Sequence, residues 1–144
     1  MTRVMVFGTF DIFHKGHEYF LNEALKRGDE LFVVIARDDT VKKIKPKPVL
    51  NDENKRLAKI KKLDFVKDAF LGSKTDRLKR IREIKPDIIC LGYDQRFMVD
   101  ELNDAIKKNK WNIEVIRIES FYADKYKSSI LREKLEKNNK ENLK

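Results

Sequence analysis

The residues best suited to do chemistry lie close together near the start of the chain. Its two histidines are three apart, in His14-Lys15-Gly16-His17, just beyond Gly8-Thr9-Phe10-Asp11. The stretch reads as the turn between a strand and a helix. His17 falls at or near the helix N-terminus, where free backbone N–H groups and the helix dipole attract anions. Gly16 removes a side chain where a phosphate would have to approach the backbone, and Gly8 and Thr9 do similar work at the strand end. Two imidazoles, a lysine and a helix N-terminus aimed at one place suit stabilisation of charge developing on a phosphate. Phosphoryl and nucleotidyl transfer need little beyond positioning and such electrostatics. Two histidines at this spacing also occur on surfaces by chance, and it is the strand–turn–helix setting that favours a working site.

Those residues need elements to hold them. The apolar run Arg3–Phe7, ending at Gly8, reads as a buried strand, and His17–Arg27 as a helix stopped by Gly28. Leu31–Ala36 is a second apolar, β-branched run. Asp38–Leu50, with Pro46, Pro48 and four lysines, reads as a loop or short helix that turns. Asp52–Leu63 reads as a helix capped by Asn51 or Asp52. Strands follow at Phe65–Leu71, Ile88–Leu91 and Ile113–Ile118, the last alternating as a sheet edge does. Helices are expected at Thr75–Ile84, Val99–Asn109 and Ser128–Lys137. This alternation of strand and helix predicts an α/β fold: one Rossmann-like domain over 1–137, with a five-stranded parallel sheet and helices on both faces. Residues 138–144 read as a polar tail. In such sheets ligands bind beyond the carboxyl ends of the strands. Those ends carry Gly8-Thr9-Phe10-Asp11, Arg37-Asp38-Asp39, Gly92-Tyr93-Asp94-Gln95 and Glu119-Ser120-Phe121-Tyr122.

Composition sets the outer bounds. At 144 residues the chain is one domain's worth, and 41% hydrophobic content supports a packed core. Lysine and arginine total 33 against 24 acids, a net charge of +9 that suits anionic partners. Only Lys42 to Lys47 is a concentrated basic stretch; elsewhere bases alternate with acids, which argues against a nucleic-acid face. A single cysteine, Cys90, excludes a disulfide framework and a multi-cysteine zinc site. No apolar run approaches the length of a membrane span, and the N-terminus has no signal-peptide pattern, so a cytoplasmic protein is expected.

The run Gly8-Thr9-Phe10-Asp11-Ile12-Phe13-His14-Lys15-Gly16-His17 resembles the G-T-F-D-x-x-H-x-G-H signature of the cytidylyltransferase-like nucleotidyltransferases. The resemblance implies in-line attack by an acceptor phosphate on the α-phosphate of a nucleoside triphosphate, with pyrophosphate leaving. It implies that His14 and His17 hold the α- and β-phosphates, with Gly8, Thr9, Phe10, Lys15 and Gly16 around them. Lys42 resembles the lysine aimed at the transferring phosphate, although Lys43 or Lys45 could serve instead. Arg56 stands where the family places an arginine before the third strand; a surface helix position is the plain alternative. Asp94 could hold the ribose hydroxyls or base, or merely cap a turn. Ser128 and Ser129 resemble the family's phosphate-binding pair and are equally good helix caps. Asp11 either orients a histidine or closes the turn. A divalent cation, Mg²⁺ by expectation, accompanies the triphosphate, with no protein cage foreseen for it.

Within the family, Ala36-Arg37-Asp38-Asp39-Thr40-Val41-Lys42-Lys43, Pro86-Asp87-Ile88-Ile89-Cys90-Leu91-Gly92-Tyr93-Asp94-Gln95 and Tyr126-Lys127-Ser128-Ser129 are similar to runs of the archaeal FAD synthases. That group's cysteines before the serine pair are absent here. The R-T-x-G-I-S-T-T pattern of the glycerol-3-phosphate cytidylyltransferases is also absent. The resemblance implies ATP and FMN as substrates and a homodimer. Tyr122 is a candidate to stack on the nucleotide, whereas Phe121 is as well explained by the core. CTP with a small phosphorylated alcohol, and a non-catalytic nucleotide-binding module, are the competing readings.

Overall fold

A computed structural model of the protein describes residues 1–44, 49–96 and 98–119. Its elements run β1 (Arg3–Gly8), α1 (Lys15–Leu25), β2 (Glu30–Ile35), α2 (Asp38–Ile44), α3 (Glu53–Lys61), β3 (Asp68–Leu71), α4 (Lys79–Ile84), β4 (Ile88–Leu91), α5 (Val99–Asn109) and β5 (Glu114–Arg117). All strand pairs are parallel, in the order β3-β2-β1-β4-β5. The chain builds outward from β1 through β2 to β3, then crosses back to lay β4 on the other side of β1. The strand order therefore reverses between β1 and β4, where such sheets bind ligands.

Successive strand residues feed opposite faces. Val4 and Val6 join Val33, Cys90, Leu21 and Ala24 of α1 and Ile60 of α3 in one core. Met5 joins Val34, Ile89, Leu91, Ile81 of α4 and Leu102 of α5 in the other. Each such buried side chain stabilises by roughly 1.5–3 kcal/mol. An exposed ion pair such as Arg77–Glu101 contributes about 0–1 kcal/mol, so the two apolar layers hold the fold. Cys90 lies at full burial in β4, and burial pushes its thiol pKa up to about 11.

Three element starts differ from the expected ones by two residues or more, each because local side-chain bonds or packing compete with the regular ladder. Helix α1 begins at Lys15, not His17, because His14 caps it. Strand β3 begins at Asp68, not Phe65, because Leu63, Phe65 and Val66 pack on the core from a turn closed by the Val66 N–H to the Leu63 carbonyl. Helix α4 begins at Lys79, not Thr75. Ser73 Oγ accepts from the N–H groups of Thr75 and Asp76, and Asp76 accepts from Leu78, which diverts the backbone from helix. The expected helix at Ser128–Lys137 and the tail lie outside the described residues.

Candidate active site

The turn from β1 into α1 is held by its own histidines. The Gly16 N–H donates to His14 Nδ1 at 3.0 Å, and the His14 N–H donates to His17 Nδ1 at 3.3 Å. This is a capping box in which imidazoles do the work usually given to serine and glutamate. An Nδ1 that accepts a backbone proton carries none of its own, so in the neutral rings the proton sits on Nε2. Both rings therefore present an Nε2–H donor. They stack at 3.9 Å between centroids. Burial lowers the pKa of His14, which favours the neutral, donating ring.

Beneath the histidines, Phe10 is 5% exposed and takes the left-handed backbone region at φ 52°. Its ring lies over Gly8 and meets His17 edge-on at 5.3 Å. A Cβ on Gly8 would stand 2.5 Å from Phe10 Cε2. Gly8 thus makes room for the ring that backs the histidine, a requirement additional to any approach by phosphate.

Arg56 is buried, which excludes the surface position offered as its plain alternative, and it is absent from the lining of the cavity over the strand ends. Its guanidinium is fully buried behind the turn. Nη1 donates to the carbonyls of Thr9 and Ala36 at 3.0 and 2.8 Å, Nε to that of Asn51, and Nη2 to Asp38 Oδ1 at 2.6 Å. One side chain thereby ties the ends of β1 and β2 to α2 and to the start of α3. Burial by itself raises the Asp38 pKa, but the Arg56 bond, the Glu53 N–H and the nearby charges of Arg56 and Lys42 outweigh it, and the carboxyl titrates below its ordinary value. Asp11 faces neither histidine. It accepts from the N–H groups of Leu50 and Asn51 at 2.8 Å each, so it pins the entry to α3.

A cavity of about 660 Å³ opens over the carboxyl ends of the strands. Of the expected site residues, Gly8, Thr9, Phe10, His14, Gly16, His17 and Asp94 line it. Lys15 and Lys42 are exposed and outside its lining. Tyr122, Phe121, Ser128, Ser129 and Lys45 lie outside the described residues. Two arginines given no site role from the sequence stand at this end of the sheet. Arg37, just past β2, lines the cavity and bridges the Gly72 carbonyl and Glu53. Arg117 of β5 donates to the carbonyls of Gly92 and Gln95 at 2.6 and 2.8 Å and so holds the loop after β4. Gln95 completes that loop by accepting from the Gly92 N–H and reaching the Phe7 carbonyl of β1. Position at a strand's carboxyl end was the one available signal for Arg37.

A family model described as cytidylyltransferase-like matches residues 5–134. The chain belongs to this cytidylyltransferase-like family. It is similar to the FAD synthase of Methanosarcina mazei, 52% identical over 118 residues that make up 82% of this chain and 77% of the relative. The FAD synthase of Thermoplasma volcanium is 45% identical over 94% of both chains. A crystal structure from Thermoplasma volcanium, described as a lipopolysaccharide core biosynthesis protein, superposes with a TM-score of 0.78 at 47% identity, over 84% of this chain and 98% of the other. The two descriptions from that organism point to different roles. The family and the FAD synthase relatives make the chain a nucleotidyltransferase. No described helix is long and apolar enough to cross a membrane.

Proposed function

We infer that the protein transfers the adenylyl group of ATP to the phosphate of FMN, giving FAD and pyrophosphate. The observation that carries this reading is the 45–52% identity to proteins named FAD synthase over most of the chain. An FMN phosphate oxygen attacks the α-phosphorus of ATP. The bond to the β-phosphate bridging oxygen breaks on the opposite side, and pyrophosphate leaves with that electron pair. The Nε2–H groups of His14 and His17 donate to the α- and β-phosphate oxygens as charge builds on them. Such donors act most strongly where water is excluded and they need not reorganise. The capping box supplies that fixity. Thr9, Phe10, Lys15 and Gly16 frame the phosphates, and Gly8 leaves room for the ring behind His17. Asp94 takes the ribose or base, with Tyr122, Ser128 and Ser129 completing the nucleotide site. Lys42, or Lys43 or Lys45 in its place, supplies a positive charge to the phosphates. Arg56 acts as a positioning residue.

Among the described residues no group of three His, Cys, Asp or Glu side chains converges to hold a metal ion. The reading has a divalent cation enter with the triphosphate, as Mg-ATP, because magnesium keeps phosphate and water oxygens as its main ligands. We further propose a cytoplasmic homodimer, which a solution mass of two chains would support and a single-chain mass would refute.

The test is a pyrophosphate-release assay with magnesium that crosses ATP and CTP with FMN, glycerol 3-phosphate and 4′-phosphopantetheine. Turnover with ATP and FMN is the expected result. Turnover confined to CTP would leave the histidine roles standing and overturn the acceptor.

A further inference from the structure

We propose that Arg37 anchors the phosphate of the acceptor, holding a phosphomonoester beside the histidine pair for attack. The proposal rests on the FMN reading above and gives that substrate a specific contact.

Among the described residues three cationic side chains other than the histidines line the cavity: Arg37, Arg77 and Arg96. Arg77 is half exposed and pairs with Glu101 on the surface, and Arg96 is exposed. Arg37 differs. Its side chain is 23% exposed. Nε donates to the Gly72 carbonyl at 2.7 Å and Nη1 to Glu53 Oε2 at 2.8 Å. The other Glu53 oxygen accepts from the Asp38 N–H at 3.0 Å, so the carboxylate that orients the guanidinium is itself fixed. Nη2 meets no hydrogen-bond partner among the described residues. The planar group is thus held through Nε and Nη1, which leaves Nη2 to donate. An arginine already ordered loses little side-chain entropy when a phosphate arrives.

Its location fits an attacking phosphate. Ile35, the last residue of β2, pairs with Gly8, and the Ala36 N–H donates to the Gly8 carbonyl at 2.9 Å. Arg37 therefore stands about one strand spacing, roughly 5 Å, to the side of the β1 turn. It lies on the side away from Asp94, which follows β4. In-line attack needs the acceptor phosphate opposite the departing pyrophosphate, and Arg37 would hold it there from the β2 side while the nucleoside lies at Asp94 on the β4 side. Two phosphate groups repel as they close, and neutral histidines offer donors but no net charge. The Glu53 pair leaves Arg37 little long-range field as well. What it offers is a directed, charge-assisted donor at short range.

Flavin fluorescence titration of FMN and of riboflavin, which lacks the phosphate, separates an anchor from a wall residue. In the wild type FMN binds more tightly than riboflavin. In Arg37→Gln that preference collapses by about 10–100-fold, the range of a lost bond to a charged group, while riboflavin affinity and the ATP KM hold. Arg37→Lys, which keeps the charge without the fork, gives an intermediate ratio and guards against a Gln variant that folds poorly. Equal weakening of both flavins would make Arg37 a structural residue and overturn the proposal. So would a raised ATP KM with the flavin ratio intact, since the residue would then serve the donor. A wild type that binds neither flavin removes the FMN reading together with this one, whereas an unchanged ratio in the variants removes this one alone.

Discussion

The two loops that flank the point of strand reversal are built in opposite ways. The turn after β1 is fastened from below by a buried arginine, Arg56, and from within by two histidines that cap their own helix. The loop after β4 is fastened from the outside by Arg117, an exposed arginine whose hydrogen-bond partners among the described residues are carbonyls. Groups that must stabilise a fleeting charge need fixed positions, because their advantage is that they do not reorganise. Groups that recognise a nucleoside can adjust. On the proposed function, the first loop does the chemistry and the second selects the nucleoside.

The largest effect is expected at the buried fastening. Arg56→Met strands the Asp38 carboxylate and the carbonyls of Thr9, Ala36 and Asn51, and should cost about 3–5 kcal/mol in urea unfolding. A loss under 1 kcal/mol would mean the turn does not depend on it. His17→Ala removes one donor and one cap. Turnover should fall by roughly 10²–10³ while ATP binding stays close to wild type. Gly8→Ala forces the Phe10 ring off its seat, which should cost about 1–3 kcal/mol and lower turnover as His17 loses its backing. Arg117→Gln should cost less than about 1 kcal/mol and raise the ATP KM with kcat held. A fall in kcat instead would erase the contrast between the loops.

The smallest effect is one of pH. The folded pKa of His14 is below its ordinary value of about 6.5, so the unfolded chain takes up the proton first. The stability due to the neutral cap is complete above the unfolded pKa and is lost as pH falls through the folded one. From pH 7.5 to 5 the wild-type Tm should drop more than that of His14→Asn, which caps without titrating. Equal slopes would show that the cap does not depend on the proton.

Much of this arrangement could be read from the sequence, for reasons that also mark where reading stops. Apolar runs such as Val4-Met5-Val6 and Leu31–Ile35 are local signals of strands buried on both faces, and the histidine spacing is a local signal of a phosphate turn. Arg56 looks like any basic residue on a helix. Its role depends on Thr9, 47 positions away, a contact that appears only when β1, β2 and α3 are assembled. Gly8 is legible as a glycine at a strand end, whereas the Phe10 ring above it depends on a backbone reversal that a phenylalanine rarely makes. Ser73 and Asp76 shorten α4 through bonds that helical periodicity does not register.

The one thiol of the chain gives the molecule a built-in clock. Cys90 stands in β4, sealed in the apolar layer beneath α1 and α3 and kept as a thiol by burial. A thiol reagent can reach it only when the sheet parts, and only the ionised form reacts quickly. The labelling rate therefore counts openings of the central strands, without a probe having been added, while motions confined to the two loops leave it unchanged.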